Sequence, residues 1–403
     1  MTQPGSLPPP FPEPGPEPGP EPGPEPTPLL SFAPGPTQLH PLVPSELRRM
    51  AADGYLGESH RSAPVRSEVA RMNEALRTLL GIPPDHRILL VGSATEAMER
   101  ILQGVVDARS FHLVNGAFAR RFHAIAAGLG LEAGDATVPD GRSCRSGAVE
   151  IPADTELLAM TQNETSTGAR ISPPEVHALA DRIRQAGGLA AVDLVSGWPT
   201  EPVDPARIDA GFFSVQKGFG LPAGLGVIVA SPALVERARE RLGRRAAVGP
   251  VFHLPALADA AARHETVATP NTLAIRLLAR VAEAYLAGGG EAAAWADAVA
   301  APGGAATLAE AAEAGFRRWW DAMAELGLEP FVGDAELRSR TVAVVQVPSG
   351  ADALRARLRA RGLVVGDGYG PWKGRHLRVA HFPVQTPDMH ATLVEALRQE
   401  LAR

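Results

Sequence analysis

The residue in this chain best placed for chemistry is Lys217. It stands in SVQKGFGLPAGLGVIV, after an apolar run that reads as a strand and before a glycine-rich stretch leading into another. The small residues around it leave room for an aldehyde to approach. Burial at a strand end penalises the ammonium form and lowers a lysine's pKa, so the amine is free to attack a carbonyl. An isolated lysine is usually a solvated surface group, and it is the context that sets this one apart. Asp193 closes GLAAVD, again at a strand end. A carboxylate there either caps a turn or meets a cation, and beside Lys217 it suits the side of a protonated ring nitrogen. GSAT at 92–95 joins HRILLV to a helix beginning near Thr95. The N–H groups and dipole of such a helix start suit a phosphate, although most turns of this kind are simple N-caps.

Positioning these groups requires strands that end on one edge. HRILLVG, SFHLVN, TELLAMTQ, GLAAVDLV, ARIDAGFFSV and GLGVIVAS read as buried strands. TEAMERILQGVVDA puts Ala97, Met98, Ile101, Leu102, Val105 and Val106 on one helical face, and VHALADRIRQAGG supplies a helix ending on a glycine pair. Such alternation predicts a mostly parallel sheet covered on both faces, with chemistry just beyond the carboxyl ends of its strands. The C-terminal part differs in character: TVAVVQV, a helix near 351–361, RHLRVAHF and a last helix at 386–402 predict a small α+β domain, joined through a helical region at 272–328.

Bulk composition bounds the rest. The chain has 403 residues, 45% hydrophobic and 21% charged, enough for a large core and a second domain. A net charge of −6, from 39 basic and 45 acidic residues, gives no global attraction to nucleic acid or anionic membrane, so an anionic ligand must be held by local arginines or helix ends. Cys144 is the only cysteine, which excludes an internal disulfide and a tetrathiolate metal site. No apolar run approaches the roughly 18 residues of a membrane span, and no signal-peptide pattern opens the chain, so a cytoplasmic protein without a metal is expected. Residues 1–30 include PEPGPEPGPEPGPEP and are expected to form a disordered or polyproline-like tail.

Taken in order, SHRS (59–62), GSAT (92–95), NGAF (115–118), NETSTG (163–168), VD (192–193), QKGFGLPAGLG (216–226) and ATPNT (268–272) resemble the class V aminotransferases of fold type I, in particular their phosphoserine aminotransferase branch. The resemblance runs from SFAPGPT at 31–37 to LRVAHFP at 377–383, with NET and QKGFG its specific parts. It implies pyridoxal 5'-phosphate held by Lys217 as a Schiff base. The α/β fold would have a large cofactor-binding domain over 31–275 with a mixed, mostly parallel seven-stranded sheet, and a small C-terminal domain over 276–403. Lys217 would also shuttle the α-proton and Asp193 would bind the pyridine nitrogen. Thr165 would reach the phenolic oxygen, Gln216, Ala94 and Thr95 the phosphate, and Phe118 would stack on the ring.

Family members are homodimers, so Thr269 would serve the partner's cofactor phosphate, with Asn271 a candidate where some relatives have Asn in place of Ala268. His60, Arg61 and Arg378 match residues that bind the anionic groups of the substrate. The implied reaction moves an amino group between L-glutamate and 3-phosphooxypyruvate, giving O-phospho-L-serine for serine biosynthesis, with a related phosphorylated substrate of pyridoxine biosynthesis as a second candidate. One stretch departs from the family: GYGPWKGRHLR replaces the His-Arg pair that precedes the C-terminal arginine in one subgroup, leaving Lys373, Arg375 or His376 to take the substrate phosphate. The rivals are a serine/alanine–glyoxylate type aminotransferase, a cysteine desulfurase, disfavoured because Cys144 lies in a polar segment, and a non-catalytic binding protein, disfavoured because Lys217 and Asp193 are both present.

Overall fold

The computed structural model describes residues 29–244, 249–288 and 304–402. The Pro-rich repeat lies outside the described residues.

The strands in chain order are β1 (Leu30–Phe32), β2 (Arg87–Val91), β3 (Arg109–Val114), β4 (Glu132–Thr137), β5 (Leu157–Thr161), β6 (Asn163–Glu164), β7 (Ala169–Arg170), β8 (Leu189–Asp193), β9 (Ala210–Ser214), β10 (Gly226–Ala230), β11 (Val342–Gln346), β12 (Leu363–Asp367) and β13 (His376–Ala380). Seven of them form one sheet in the order β2-β10-β9-β8-β5-β3-β4. Only β10 runs against its neighbours; β3, β4, β5, β8 and β9 are parallel, and β2 shares their direction because it too pairs antiparallel with β10. Strands β5, β8, β9 and β10 are buried along their whole length. This is why they read as continuous apolar runs.

Alternate strand residues feed two apolar layers. Leu158, Met160, Ala190, Val192 and Phe213 pack with helices Ala63–Leu80, Pro173–Gln185 and Thr272–Ala287. Leu157, Ala159, Leu189, Ala191 and Phe212 pack with helices Ala94–Val105, Ala117–Gly128, Pro232–Arg244 and Leu254–Ala261. Strand β4, EAGDAT, does not stand out in the sequence. It is a half-exposed edge strand without an apolar run, and Arg109 of β3 ties it down through Glu132.

The C-terminal layer is a four-stranded sheet in the order β1-β12-β13-β11, covered by helices Ala305–Glu325, Asp352–Ala360 and Pro387–Leu401 around Trp319, Met323, Leu358 and Leu393. Two features differ from the linear division at 31 and 276. Leu30–Phe32 pairs in parallel with Leu363–Val365, so the first strand of the chain joins the last sheet. Helix Thr272–Ala287 buries Ile275, Leu278 and Val281 in the core of the large sheet. A three-residue strand carries too little pattern to reveal its partner.

Candidate functional site

Strands β2, β3, β5, β8 and β9 all end on one edge, and their next residues are GSAT, NGAF, QNETST, the end of VD and VQK. Lys217, three residues past β9, is 7% exposed. Its Nζ donates to Thr165 Oγ1 at 2.8 Å and stands 4.9 Å from the Phe118 ring centroid. Gly35 has φ 142°, and a Cβ there would lie 2.9 Å from Lys217 Cε, so only glycine lets this loop close over the lysine stem. Burial pushes the Lys217 amine below its usual 10.5, against the attraction of Asp193 and Glu164. Asp193 is buried at the end of β8, and Val195 N–H donates to its Oδ1 at 2.9 Å. Burial raises its carboxyl above 3.8, while the Val195 N–H and Lys217 pull the other way.

Around Thr165 a chain of hydroxyls sets the geometry. Thr165 Oγ1 donates to Ser196 Oγ at 2.8 Å, Ser196 Oγ donates to the Asn163 carbonyl at 2.8 Å, and Asn163 Nδ2 donates to Thr341 Oγ1 at 2.7 Å. Ser196 was invisible as a site residue in the sequence, where it is one serine in a loop. Glu164 likewise carried no signal beyond its place in NET. Its buried carboxylate accepts from the N–H groups of Phe118 and Ala119 at 3.0 and 3.1 Å, and from the N–H and Oγ of Ser166 at 2.9 and 2.6 Å. It thereby satisfies the start of the helix that carries Phe118. A Cβ at Gly116 would fall 2.2 Å from Glu164 Cγ, so the glycine of NGAF makes this approach possible.

The turn after β2 is a capped helix start. Ser93 Oγ accepts from Glu96 N–H at 3.1 Å, and the Glu96 carboxylate accepts from Gly92 N–H at 2.8 Å. Ala94 N–H is engaged by Ser214 Oγ at 2.8 Å, which removes one of the donors expected to be free. The exposed Thr95 has no acceptor for its N–H among the described residues. In the turn bearing Lys217, the Gln216 amide oxygen is buried with no partner, and its carbonyl accepts from Thr37 N–H at 3.1 Å.

Arg378 reaches this edge from β13. Its Nη1 donates to the Thr165 carbonyl at 3.1 Å, its Nε donates to the Asp367 carbonyl, and its guanidinium lies 5.4 Å from the Tyr369 ring centroid. His60, Arg61 and Thr269 form a second group: Thr269 Oγ1 lies 3.4 Å from His60 Nδ1, and Arg61 Nε donates to His60 Nε2 at 3.3 Å. Thr269 and Asn271 line a cavity of about 280 Å³ together with Gly92 and Glu96. The Asn271 Oδ1 is occupied in capping the next helix, accepting from Ala274 N–H at 3.0 Å. Of the basic run, His376 is buried between Trp372 and Phe331, while Lys373 and Arg375 are exposed. None of the three touches Arg378 or Lys217 among the described residues. Cys144 is buried, which raises its thiol to about 11.

No group of three or more metal-ligating side chains occurs among the described residues, and no helix there is long and apolar enough to cross a membrane. The groups at this strand edge suit a flat, phosphorylated heterocycle bearing an aldehyde. The features that fit it are the open Thr95 N–H, the Phe118 face and the buried amine and carboxylate. Fold and pocket together define a pyridoxal-phosphate enzyme of the α/β kind.

The chain belongs to the class-V aminotransferase family, whose model matches residues 32–301, and it is a pyridoxal-phosphate-dependent aminotransferase. It is 30% identical to a Mycolicibacterium vanbaalenii protein provisionally named phosphoserine aminotransferase, over 361 residues that cover 89% of this chain and 91% of the relative. It is 29% identical to a phosphoserine aminotransferase of a Nocardioides species, covering 88% of this chain and 91% of that one. The crystal structure of a Cytophaga hutchinsonii phosphoserine aminotransferase superposes with a TM-score of 0.86 at 31% identity, covering 92% of this chain and 98% of that one.

Proposed function

We propose that the enzyme moves an amino group between L-glutamate and 3-phosphooxypyruvate, with the related phosphorylated acid of pyridoxine synthesis as a further substrate to assay. The observation that carries the site assignment is the buried Lys217 amine, held by Thr165 at 2.8 Å and neighboured by the buried Asp193 carboxylate. The choice of oxo acid rests on the phosphoserine aminotransferase relatives.

Bound pyridoxal phosphate supplies an electron sink for the carbanion left when the substrate loses its α-proton. The chain's own residues do the rest. Lys217, deprotonated more readily than a solvated lysine, holds the cofactor and then takes and returns the α-proton. Thr165 aims the amine through its hydroxyl. Asp193 would hold the ring nitrogen protonated, and Phe118 would pack against the ring. Thr95 through its N–H and Gln216 through its side-chain NH2 would hold the phosphate, with Ala94 shaping the turn. Arg378, anchored by two carbonyls, turns its remaining N–H groups to the α-carboxylate. His60, Arg61 and Thr269 contact one another and are assigned, as in a homodimer, to the partner's site. The large sheet with its helices would hold the cofactor and the C-terminal sheet would close over the substrate, the division near 275 being crossed by β1, which pairs with β12, and by helix Thr272–Ala287, which packs in the large-sheet core.

The test is spectroscopic. The purified protein should show a visible band that shifts on adding glutamate and returns on adding 3-phosphooxypyruvate. A band that returns only with glyoxylate would transfer the assignment to the serine/alanine–glyoxylate type.

A further inference from the structure

A second cavity, of about 490 Å³, lies where helices Ala305–Glu325 and Pro387–Leu401 and the loop after β13 meet Thr200. It contains none of the residues assigned to cofactor or substrate. Packed interiors leave few voids larger than a water molecule, and this one has the size of a small-molecule site. Most of its lining is apolar, with Leu308, Ala312, Phe382 and Val394 among it.

Gly315 keeps the space open. It stands inside a 21-residue helix, where glycine costs about 1 kcal/mol relative to alanine. Neither a positive φ nor a close neighbour calls for glycine here, since a Cβ would meet nothing within 4 Å. Any larger side chain at this position would enter the cavity, which Gly315 lines.

Three polar side chains of the lining have nothing to bind. Thr200 Oγ1, Trp319 Nε1 and His381 Nε2 are buried without a partner among the described residues, and their residues are 3, 3 and 8% exposed. A buried polar group left unpaired costs about 1–3 kcal/mol, so three around one cavity call for an occupant that pairs with them. His381 is fixed in place. Its ring stacks on that of His390 at 4.2 Å and meets that of Trp319 edge-on at 5.0 Å, while the His390 nitrogens lie 3.2 Å from the Thr386 carbonyl and 3.1 Å from the Ala380 carbonyl. The Trp319 N–H can only donate, and the Thr200 hydroxyl can do the same, so the occupant must bring an acceptor. Its charge follows from Arg318, which is exposed, lines the cavity and pairs with no carboxylate among the described residues. No Asp or Glu lines the space.

We propose that this cavity is a second ligand site, for an organic anion with an aromatic or branched apolar body. The body fills the space over Gly315, and the carboxylate or sulfonate takes the donors of the lining and the charge of Arg318. The occupant borders the active-site scaffold. His381 directly follows β13, the strand of Arg378, and its N–H donates to the Thr341 carbonyl at 2.8 Å.

The experiment titrates the intact holoenzyme, by calorimetry, with naphthalene sulfonate and with naphthalene sulfonamide, which share a body and differ in charge. The native enzyme is expected to bind the sulfonate saturably and roughly 5-fold or more tighter than the sulfonamide, the effect of one hydrogen bond and a partly solvated ion pair. Gly315→Leu fills the space and should abolish this binding, with a denaturation midpoint no lower than the native one because leucine favours the helix. Ala312→Leu, one turn away on the same helix, reads the same loss should Gly315→Leu fold poorly. Arg318→Gln should narrow the gap between the two probes while the sulfonamide still binds. Absence of saturable binding to the native enzyme would mean a hydrated cavity only and overturns the proposal. Binding undiminished in both Gly315→Leu and Ala312→Leu overturns it as well, and equal affinity for the two probes refutes the anion.

Discussion

Thr165 binds Lys217 and Arg378 with different atoms: its hydroxyl accepts from Lys217 Nζ at 2.8 Å and its carbonyl from Arg378 Nη1 at 3.1 Å. One residue directly after β6 therefore sets the spacing between the amine and the cation proposed for the α-carboxylate. Because the hydroxyl also donates to Ser196, its lone pair facing Lys217 has a fixed direction. Thr165→Val keeps the shape and removes this acceptor. A fall in kcat of about 10-fold or more, with little change in KM, is expected in steady-state kinetics, and Thr165→Ser should restore most of it. A change confined to KM would contradict a positioning role.

Lys217→Ala should remove the visible band and nearly all turnover while the chain still folds, because the side chain is no part of the apolar cores. In the native enzyme, borohydride reduction followed by mass spectrometry should find the cofactor on Lys217. Its appearance on any other lysine would refute the site.

The pH dependence follows from burial. The Lys217 amine is depressed below 10.5, so cofactor capture by the stripped protein should reach half its maximal rate at a pH below that value. Asp193 holds the Lys217 pKa up, so Asp193→Asn should move the midpoint lower still. A midpoint at the ordinary lysine value, or an upward move, would show the pair is not coupled in this way.

Stability has its own sign. The Asp193 carboxyl is raised above 3.8 in the folded protein, which favours the protonated form. In the cofactor-free protein its stabilising contribution is present below 3.8 and is lost as pH rises through the folded value. Asp193→Asn should flatten this fall, on the order of 1 kcal/mol, in denaturant titrations across that window. Activity should be lost all the same.

Glu164→Ala would strand the Phe118 and Ala119 N–H groups and both Ser166 donors in a buried place. A loss of about 2 kcal/mol or more is expected, read as a lower denaturation midpoint with unchanged m-value. Weakened cofactor retention should accompany it, because Phe118 sits on the helix thus uncapped.

Thr269→Ala should weaken cofactor retention more than folding, and tight retention should require a dimer. Light scattering with absorbance would show it, and full activity in a strictly monomeric species would rule it out.

Much of this was determined by local sequence. Runs such as LLAMT, LAAVD and GVIVA are apolar without alternation because both faces of their strands are covered, and that pattern reports a sheet buried on both faces without giving strand direction, since GVIVA runs antiparallel. Lys217 and Asp193 were legible for the same reason: a charge closing an apolar run has no cheap alternative to a partner. What only tertiary structure decided depends on contacts between distant segments. The pairing of β1 with β12 joins residues more than 300 positions apart on three-residue evidence. Ser196 and Glu164 became site residues only when the ends of β5, β8 and β3 were brought to one edge. The basic run at 373–376 shows the converse, since charge in the sequence does not tell which way a loop turns. The stack of His376 on Trp372 leaves that run out of contact with Lys217. Spacing along a chain records the period of a helix or strand, but direction at a strand end is set by packing against residues the local pattern does not contain.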